Sequence, residues 1–366
     1  MMKRVLIGLG IFLAACSPDE VVVVDGDLTN IPYQPVDYVI PQPAGFPSMA
    51  QPSDNIATEA GVELGHFLFF DPILSRDSTQ SCSSCHLPEL GFTDGKKVST
   101  GITGAQGFRS SMSLVNIGYV NSGLFWDGRS PHLEAQAFLP IEDPTEMDNT
   151  WAAVEESLRN HPTYPEMFRK AFGINDKSEI TSDLVTKALA QYERSLVSAN
   201  SKYDEVLASG DFGVFSDEEL DGYFMFFDIE GSGLPDAQCF HCHSGAYMSV
   251  NDFFNNGLEA LGDLTNVTDI GLGDVTGVFT DRGKFRATTL RNIELTGPYM
   301  HDGRIETLEE VVDFYNDSIH PALNLDVNLF EGVDLNASQR ASLVAFMKTL
   351  TDTSYISNPH LLSPFN

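Results

Sequence analysis

The chain has 366 residues, and its 52 acidic against 21 basic side chains leave a formal charge of −31. So acidic a chain argues against nucleic acid and anionic lipid surfaces as partners; the charge would steer in a basic electron-donor protein, or keep the chain soluble in a salty habitat. Beyond residue 15 no stretch is apolar enough to span a bilayer, and the ~320 residues after residue 45 suffice for two modest domains.

Residues 1–15 place Lys3 and Arg4 before an apolar run from Val5 to Leu13, which reads as a secretory signal peptide. Leu13-Ala14-Ala15-Cys16 is similar to a bacterial lipobox and implies cleavage before Cys16 and lipidation of its thiol; an ordinary cleavage site that happens to hold a cysteine is the alternative. Residues 16–45 are acidic, valine-rich and then proline-rich (Pro32, Pro35, Pro41, Pro43) without a helical period. A lipid-anchored, mobile spacer is expected there.

Leu64, Phe67 and Leu68 then recur at helical spacing ahead of Ser81-Cys82-Ser83-Ser84-Cys85-His86. The same order returns later: Leu220, Tyr223, Phe224 and Phe227, behind a Ser216/Glu219 capping box, precede Cys239-Phe240-His241-Cys242-His243. Both motifs follow an aspartate by 11 residues (71 to 82, 228 to 239), and they share one offset of 157 (82 to 239). The unit is duplicated. Cys-x-x-Cys-His supplies two thiols that form thioethers with haem vinyl groups and an imidazole that becomes an axial iron ligand, so two copies point to two covalently held haem c groups. A four-thiolate zinc site or a redox dithiol is the alternative, less suited to a histidine directly after the second cysteine in both copies. Four of the five cysteines sit in these motifs and the fifth is Cys16, so none remains for a disulfide.

Trp126-Asp127-Gly128-Arg129 returns as His301-Asp302-Gly303-Arg304, each followed by Leu and Glu in a helical pattern. That offset is 175 (126 to 301), which places about 18 extra residues in the second unit, within the Gly- and Asp-rich stretch 257–283. Between the units, helices are predicted after Asn149-Thr150 through Arg159 and over 182–199, where Val185, Leu189, Tyr192 and Leu196 form a stripe; another is predicted over 338–350. Strand signals are few. The expected fold is mostly α with long loops: two cytochrome c-like domains, 46–205 and 206–350, each with one covalently bound haem, and a tail over 351–366.

The ordered set Glu63-Leu64-Gly65-His66-Phe67-Leu68-Phe69-Phe70-Asp71, Leu124-Phe125-Trp126-Asp127-Gly128-Arg129 and Leu290-Arg291-Asn292-Ile293-Glu294-Leu295-Thr296-Gly297-Pro298-Tyr299-Met300-His301-Asp302-Gly303 resembles the bacterial dihaem cytochrome c peroxidase family, with its methylamine-utilisation relative MauG. The resemblance implies that the haem on Cys82, Cys85 and His86 reacts with peroxide, and that the haem on Cys239, Cys242 and His243 receives and stores electrons. Gln136 and Glu146 stand 10 and 20 residues beyond Trp126, where the family places its distal amide and acid-base carboxylate. Peroxide cleavage needs a base that takes a proton and returns it to the departing oxygen; Glu146 can shuttle it, whereas Gln136 can only hydrogen-bond. Trp126 matches the family's indole between the haems, an electron relay. His241 reads as solvent-facing, and His66 and His161 have no assigned role.

Two departures accompany the match. Where peroxidases that need reductive activation carry a histidine ligand after Ser-Thr-Gly, this chain has Ile102, which cannot bind iron, so an open first haem is expected. Where they carry a methionine ligand on the second haem, this chain has Tyr315, as MauG does; Met300 and His320 are rival ligands. The family's calcium site implies ligation by the Thr296 and Pro298 carbonyls, but Ser110 stands where its asparagine belongs, a poorer donor for a hard cation.

The implied activity is reduction of hydrogen peroxide to water with electrons from a small c-type cytochrome or cupredoxin. A MauG-like oxidase that acts on residues of a partner protein is the alternative, and a dihaem electron carrier is disfavoured by Glu146 and Ile102. The implied setting is the periplasm of a Gram-negative bacterium, with a membrane reached through the lipid only, as monomer or homodimer.

Overall fold

The computed structural model describes residues 26–365; the expected signal peptide and Cys16 lie outside them. The first unit carries α1 (Glu59–Phe70), α2 (Leu133–Glu142), α3 (Trp151–Asn160), α4 (Tyr164–Phe172) and α5 (Ser182–Ser195). The second carries α6 (Lys202–Ser209), α7 (Asp217–Phe226), the short α8 (Leu272–Thr276), α9 (Leu308–Asp317) and α10 (Ala337–Lys348), and α11 (Thr353–Ile356) follows. The mostly helical class holds. Among the described residues the one sheet is a two-residue clip, β1 (Phe253–Phe254) antiparallel to β2 (Phe285–Arg286).

The helix starts follow their capping chemistry. Thr150 accepts from the backbone N–H of Ala153 to open α3, and Ser216 and Glu219 form the reciprocal pair that opens α7. α5 stops at Ser195, short of 199, because Asn116 captures the chain: its N–H donates to the Leu196 carbonyl at 2.8 Å and its side chain accepts from Ser198 N–H at 2.9 Å. α4 and α6 were not expected; Pro165 at the start of α4 reads as a break in sequence but is tolerated in a first turn.

The duplication is repeated in the packing. α1 crosses α5, and α7 crosses α10, in the two most extensive helix contacts of the chain. At each crossing one glycine lets the backbones touch: a Cβ on Gly65 would lie 2.0 Å from the Ala188 carbonyl oxygen, and one on Gly222 would lie 2.0 Å from that of Ser342. These glycines stand at the offset of the cysteine motifs (65 to 222, 82 to 239). Around them lie the two main clusters of the core, one built on Leu64, Leu68, Phe69, Val185 and Leu189, the other on Met225, Phe226, Leu343, Val344 and Phe346, with a small third of Phe46, Tyr119 and Tyr247.

A buried polar bracket joins the two clusters. Asn116 and Asn292, both fully buried and left-handed, bond the linker residue Ser198, and Asn292 also accepts from Asp352 N–H at 2.8 Å. Beside it Arg291 ties α6 into the second unit, donating to the Ala246 carbonyl and to the Asp204 carboxylate. α6 belongs with the second cluster through Tyr203 and Val206, so that cluster begins before residue 206.

The described part of the expected spacer behaves differently from the sequence expectation. Residues 26–45, expected to be mobile, are strapped to the first unit: Leu28 N–H donates to the Asn175 carbonyl, Tyr38 N–H to Ala57, and Arg169 and Tyr119 donate to the Ile31 and Pro41 carbonyls. Backbone pairing overrides the proline-rich composition. The tail also folds back, placing Tyr355 and Leu361 in the first cluster and bringing the Leu362 carbonyl to 2.7 Å from His66 Nε2. No helix among the described residues is long and apolar enough to cross a membrane.

Candidate active site

Each Cys-x-x-Cys-His motif lies against its own cavity. Cys82, Cys85 and His86 line the first, a void of about 1860 Å³ counting the part open to solvent; Cys239, Cys242 and His243 line the second, of about 1600 Å³ on the same measure. The motifs do not converge, and among the described residues no three His, Cys, Asp or Glu side chains gather as ligands of one metal ion. This removes the shared zinc site.

The two histidines are held identically. His86 Nδ1 bonds the Phe92 carbonyl at 2.8 Å and His243 Nδ1 bonds that of Thr288 at 3.0 Å. A carbonyl can only accept, so Nδ1 carries the proton and Nε2 keeps the lone pair that an iron needs. Burial favours the neutral ring in both, pushing His243 down to about 4. Burial also holds all four thiols protonated, with Cys239 and Cys242 pushed up to about 12, so these are not free reactive thiolates.

Glu146 is set in the first cavity by the turn after α2. Its N–H donates to the Asp143 carbonyl at 3.0 Å, its carbonyl accepts from Ile102 N–H at 2.9 Å, and Gly101 packs so tightly that a Cβ there would meet the Thr145 carbonyl at 2.2 Å. Burial, helped by Asp143 and opposed by Arg129, pushes its carboxyl up to about 7. Gln136, on α2, lines the same cavity. Among the residues lining it, His86 is the only imidazole and Met112 and Met147 the only thioethers; Ile102 is not part of the wall.

Trp126 lines both cavities and donates its indole N–H to the Ser110 carbonyl at 3.0 Å. In the second cavity Tyr315 and Met300 lie together, bridged by Asn256, whose amide meets the phenol oxygen at 3.2 Å and the thioether sulfur at 3.4 Å. Burial pushes Tyr315 up to about 12. His320 is outside the wall, which narrows the rivals to Tyr315 and Met300. Ser110, Thr296 and Pro298 also line this cavity, but the Ser110 hydroxyl is donated to the Met300 carbonyl at 3.0 Å, and the calcium expectation gains no support from its placement. His241 faces Asp236 at 3.7 Å, and His161 caps α3.

A family description for di-haem cytochrome c peroxidases matches residues 59–211. The chain is 36% identical over 337 residues to cytochrome c551 peroxidase of Nitrosomonas europaea, covering 92% of this chain and 89% of that one. The chain belongs to the di-haem cytochrome c peroxidase family. It is also 35% identical to the methylamine utilization protein MauG of Methylorubrum extorquens, over 86% of this chain and 85% of that protein. A solved MauG-like protein associated with microbial copper homeostasis superposes with a TM-score of 0.80 at 33% identity, covering 90% of this chain and all of that one.

The family implies two haem c groups, and the donor sets present fit them: each cavity offers the two thiols of its motif and that motif's own neutral imidazole, with Nε2 free, in a largely apolar wall. Sequence reasoning missed Glu193, which lines the first cavity from α5 with one carboxyl oxygen lacking any hydrogen bond, and which burial pushes up to about 8. A signal existed: Glu193 stands four residues after Leu189 on the apolar stripe. Arg286, which lines both cavities, had no signal of that kind, since its loop has no period.

Proposed function

We propose that the chain reduces hydrogen peroxide to water in the cavity of His86, using electrons that a small c-type cytochrome or cupredoxin delivers through the cavity of His243. The observation that carries this is the Glu146 carboxyl, raised to about 7 in the wall of the cavity that holds Cys82, Cys85 and His86. A group at that value is half ionised near neutrality and can both take and return a proton. When bound through Cys82, Cys85 and His86, the haem would supply the iron that exchanges electrons with peroxide.

The residues then divide the remaining work. Glu146 as carboxylate takes a proton from one peroxide oxygen and gives it to the other as the O–O bond breaks and that oxygen leaves as water. Gln136 hydrogen-bonds the peroxide but moves no proton. Trp126, in the wall of both cavities, offers an aromatic path between them. Two electrons and two further protons complete two waters per peroxide. The charge of −31 favours a basic donor.

Tyr315 supports a second use of the same site, the MauG-like oxidation of a partner protein. A phenolate ligand would favour ferric iron at the second haem and make it a poorer electron acceptor than a thioether would. We also carry export to the periplasm and the lipid on Cys16 as part of the proposal. The deciding assay mixes the holoprotein with peroxide and a reduced basic cytochrome. Oxidation of two donors per peroxide supports the peroxidase; consumption of peroxide with no turnover of any donor favours the oxidase.

A further inference from the structure

The two cavities share five wall residues, Ser110, Ser111, Met112, Trp126 and Arg286. Arg286 is 5% exposed, and its contacts are all neutral: Nε donates to the Phe125 carbonyl at 3.3 Å, Nη2 to Met112 Sδ at 3.6 Å, and the backbone N–H to the Trp126 carbonyl at 2.9 Å. Other shielded arginines are matched by acids. Arg109 is held by Asp127 and Asp269, Arg194 by Glu134, and Arg291 by Asp204. Among the described residues no carboxylate pairs with Arg286 or accepts a hydrogen bond from its guanidinium.

A guanidinium stays charged at every accessible pH, and a buried charge without a counter-ion is strongly disfavoured. Asp127 and Asp269 are both turned to Arg109 rather than to Arg286. The neighbouring hydroxyls are spent too: Ser110 Oγ donates to the Met300 carbonyl and Ser111 Oγ to that of Cys85 at 2.6 Å. Arg286 is therefore the donor left over at the junction, with more N–H groups than its neutral contacts use. A counter-ion that arrives with the ligand resolves the imbalance, and haem brings two propionate carboxylates.

We propose that Arg286 is a carboxylate-binding site common to both cofactor cavities, its guanidinium taking a haem propionate where the cavities meet. This rests on the two-haem assignment above. The clip between β1 and β2 sets its place: Phe253 pairs with Arg286, and Arg286 in turn hydrogen-bonds the backbone of Trp126, so one residue fixes the indole and the propionate together. A cation against a propionate also offsets negative charge beside the iron, which favours the ferrous state.

The test uses holoprotein carrying Arg286→Gln or Arg286→Lys. Mass spectrometry first counts the haems; if wild type lacks two, the two-haem assignment fails and the role of Arg286 is not what failed. Spectroelectrochemical titration then reads the ferric-to-ferrous ratio. The Gln variant is expected to favour ferric iron about tenfold at one or both haems, a fall of about 59 mV for a one-electron couple, with Lys keeping more than half of the wild-type value. Gln and Lys variants that both titrate as wild type, or that shift alike, overturn the proposal. Should the Gln variant not fold, a crystal structure of the wild-type holoprotein decides: a propionate within hydrogen-bond distance of the guanidinium is expected, and a guanidinium facing only protein and water overturns it.

Discussion

Ile102 donates its backbone N–H to the Glu146 carbonyl at 2.9 Å, so the loop after Ser99-Thr100-Gly101 is fastened to the residue whose carboxyl lines the first cavity. The side chain at 102 is not in the cavity wall, and no imidazole other than His86 is. Electron paramagnetic resonance of the protein as isolated should therefore show one high-spin ferric haem, and the oxidised protein should react with peroxide without prior reduction. Two low-spin haems would mean that Met112 or Met147 has moved onto the iron.

Tyr315 and Met300 both stand in the wall of the second cavity, and Asn256 touches both. If the phenol is the ligand, Tyr315→Met raises that haem's midpoint potential by at least about 59 mV, a tenfold shift toward ferrous iron, while Met300→Leu leaves its spectrum unchanged. The opposite pattern in the two titrations would assign the thioether.

Gly65 and Gly222 predict a matched pair of folding defects. Alanine at either site drives a methyl into the facing carbonyl, and overpacking of this kind costs about 1–3 kcal/mol. Denaturant midpoints of the holoprotein should fall for both variants; an unchanged midpoint at either site would show that the helices can part without loss.

The duplication, the two cavities and most helix starts were legible because each depends on residues close in sequence: a Cys-x-x-Cys-His run, a capping pair, an apolar stripe. What was hidden depends on the far side of a contact. Nothing local in residues 26–45 announces that their carbonyls and N–H groups will pair with Asn175, Ala57 and Arg169. Arg286 likewise looks like any surface arginine until the clip with Phe253 turns it inward. Glu146 was reached only by resemblance, since one carboxylate among 52 acidic residues has no distinguishing spacing of its own.

Glu193 predicts a stability that depends on pH. Burial holds its folded-state carboxyl up at about 8, with Arg194 opposing and Glu134 assisting. Near pH 4 both folded and unfolded chains are protonated and nothing is lost; as pH climbs toward 8 only the unfolded chain ionises, and stability falls by up to about 1.4 kcal/mol per unit. Glu193→Gln removes that fall. The variant's denaturant midpoint should exceed wild type by more at pH 8 than at pH 5, and an equal gap at both would show that Glu193 is already ionised in the folded protein.

The central claim is that Glu146 moves the proton during peroxide cleavage, and single-turnover mixing of the holoprotein with peroxide across pH tests it most directly. With the carboxyl raised to about 7, the protonated form below that value cannot accept a proton, so the wild-type rate should rise with pH through an inflection near 7. Glu146→Gln should keep both haems, slow the reaction by about 10²- to 10⁴-fold and lose the inflection. A variant that reacts at the wild-type rate with the same pH profile would contradict the account.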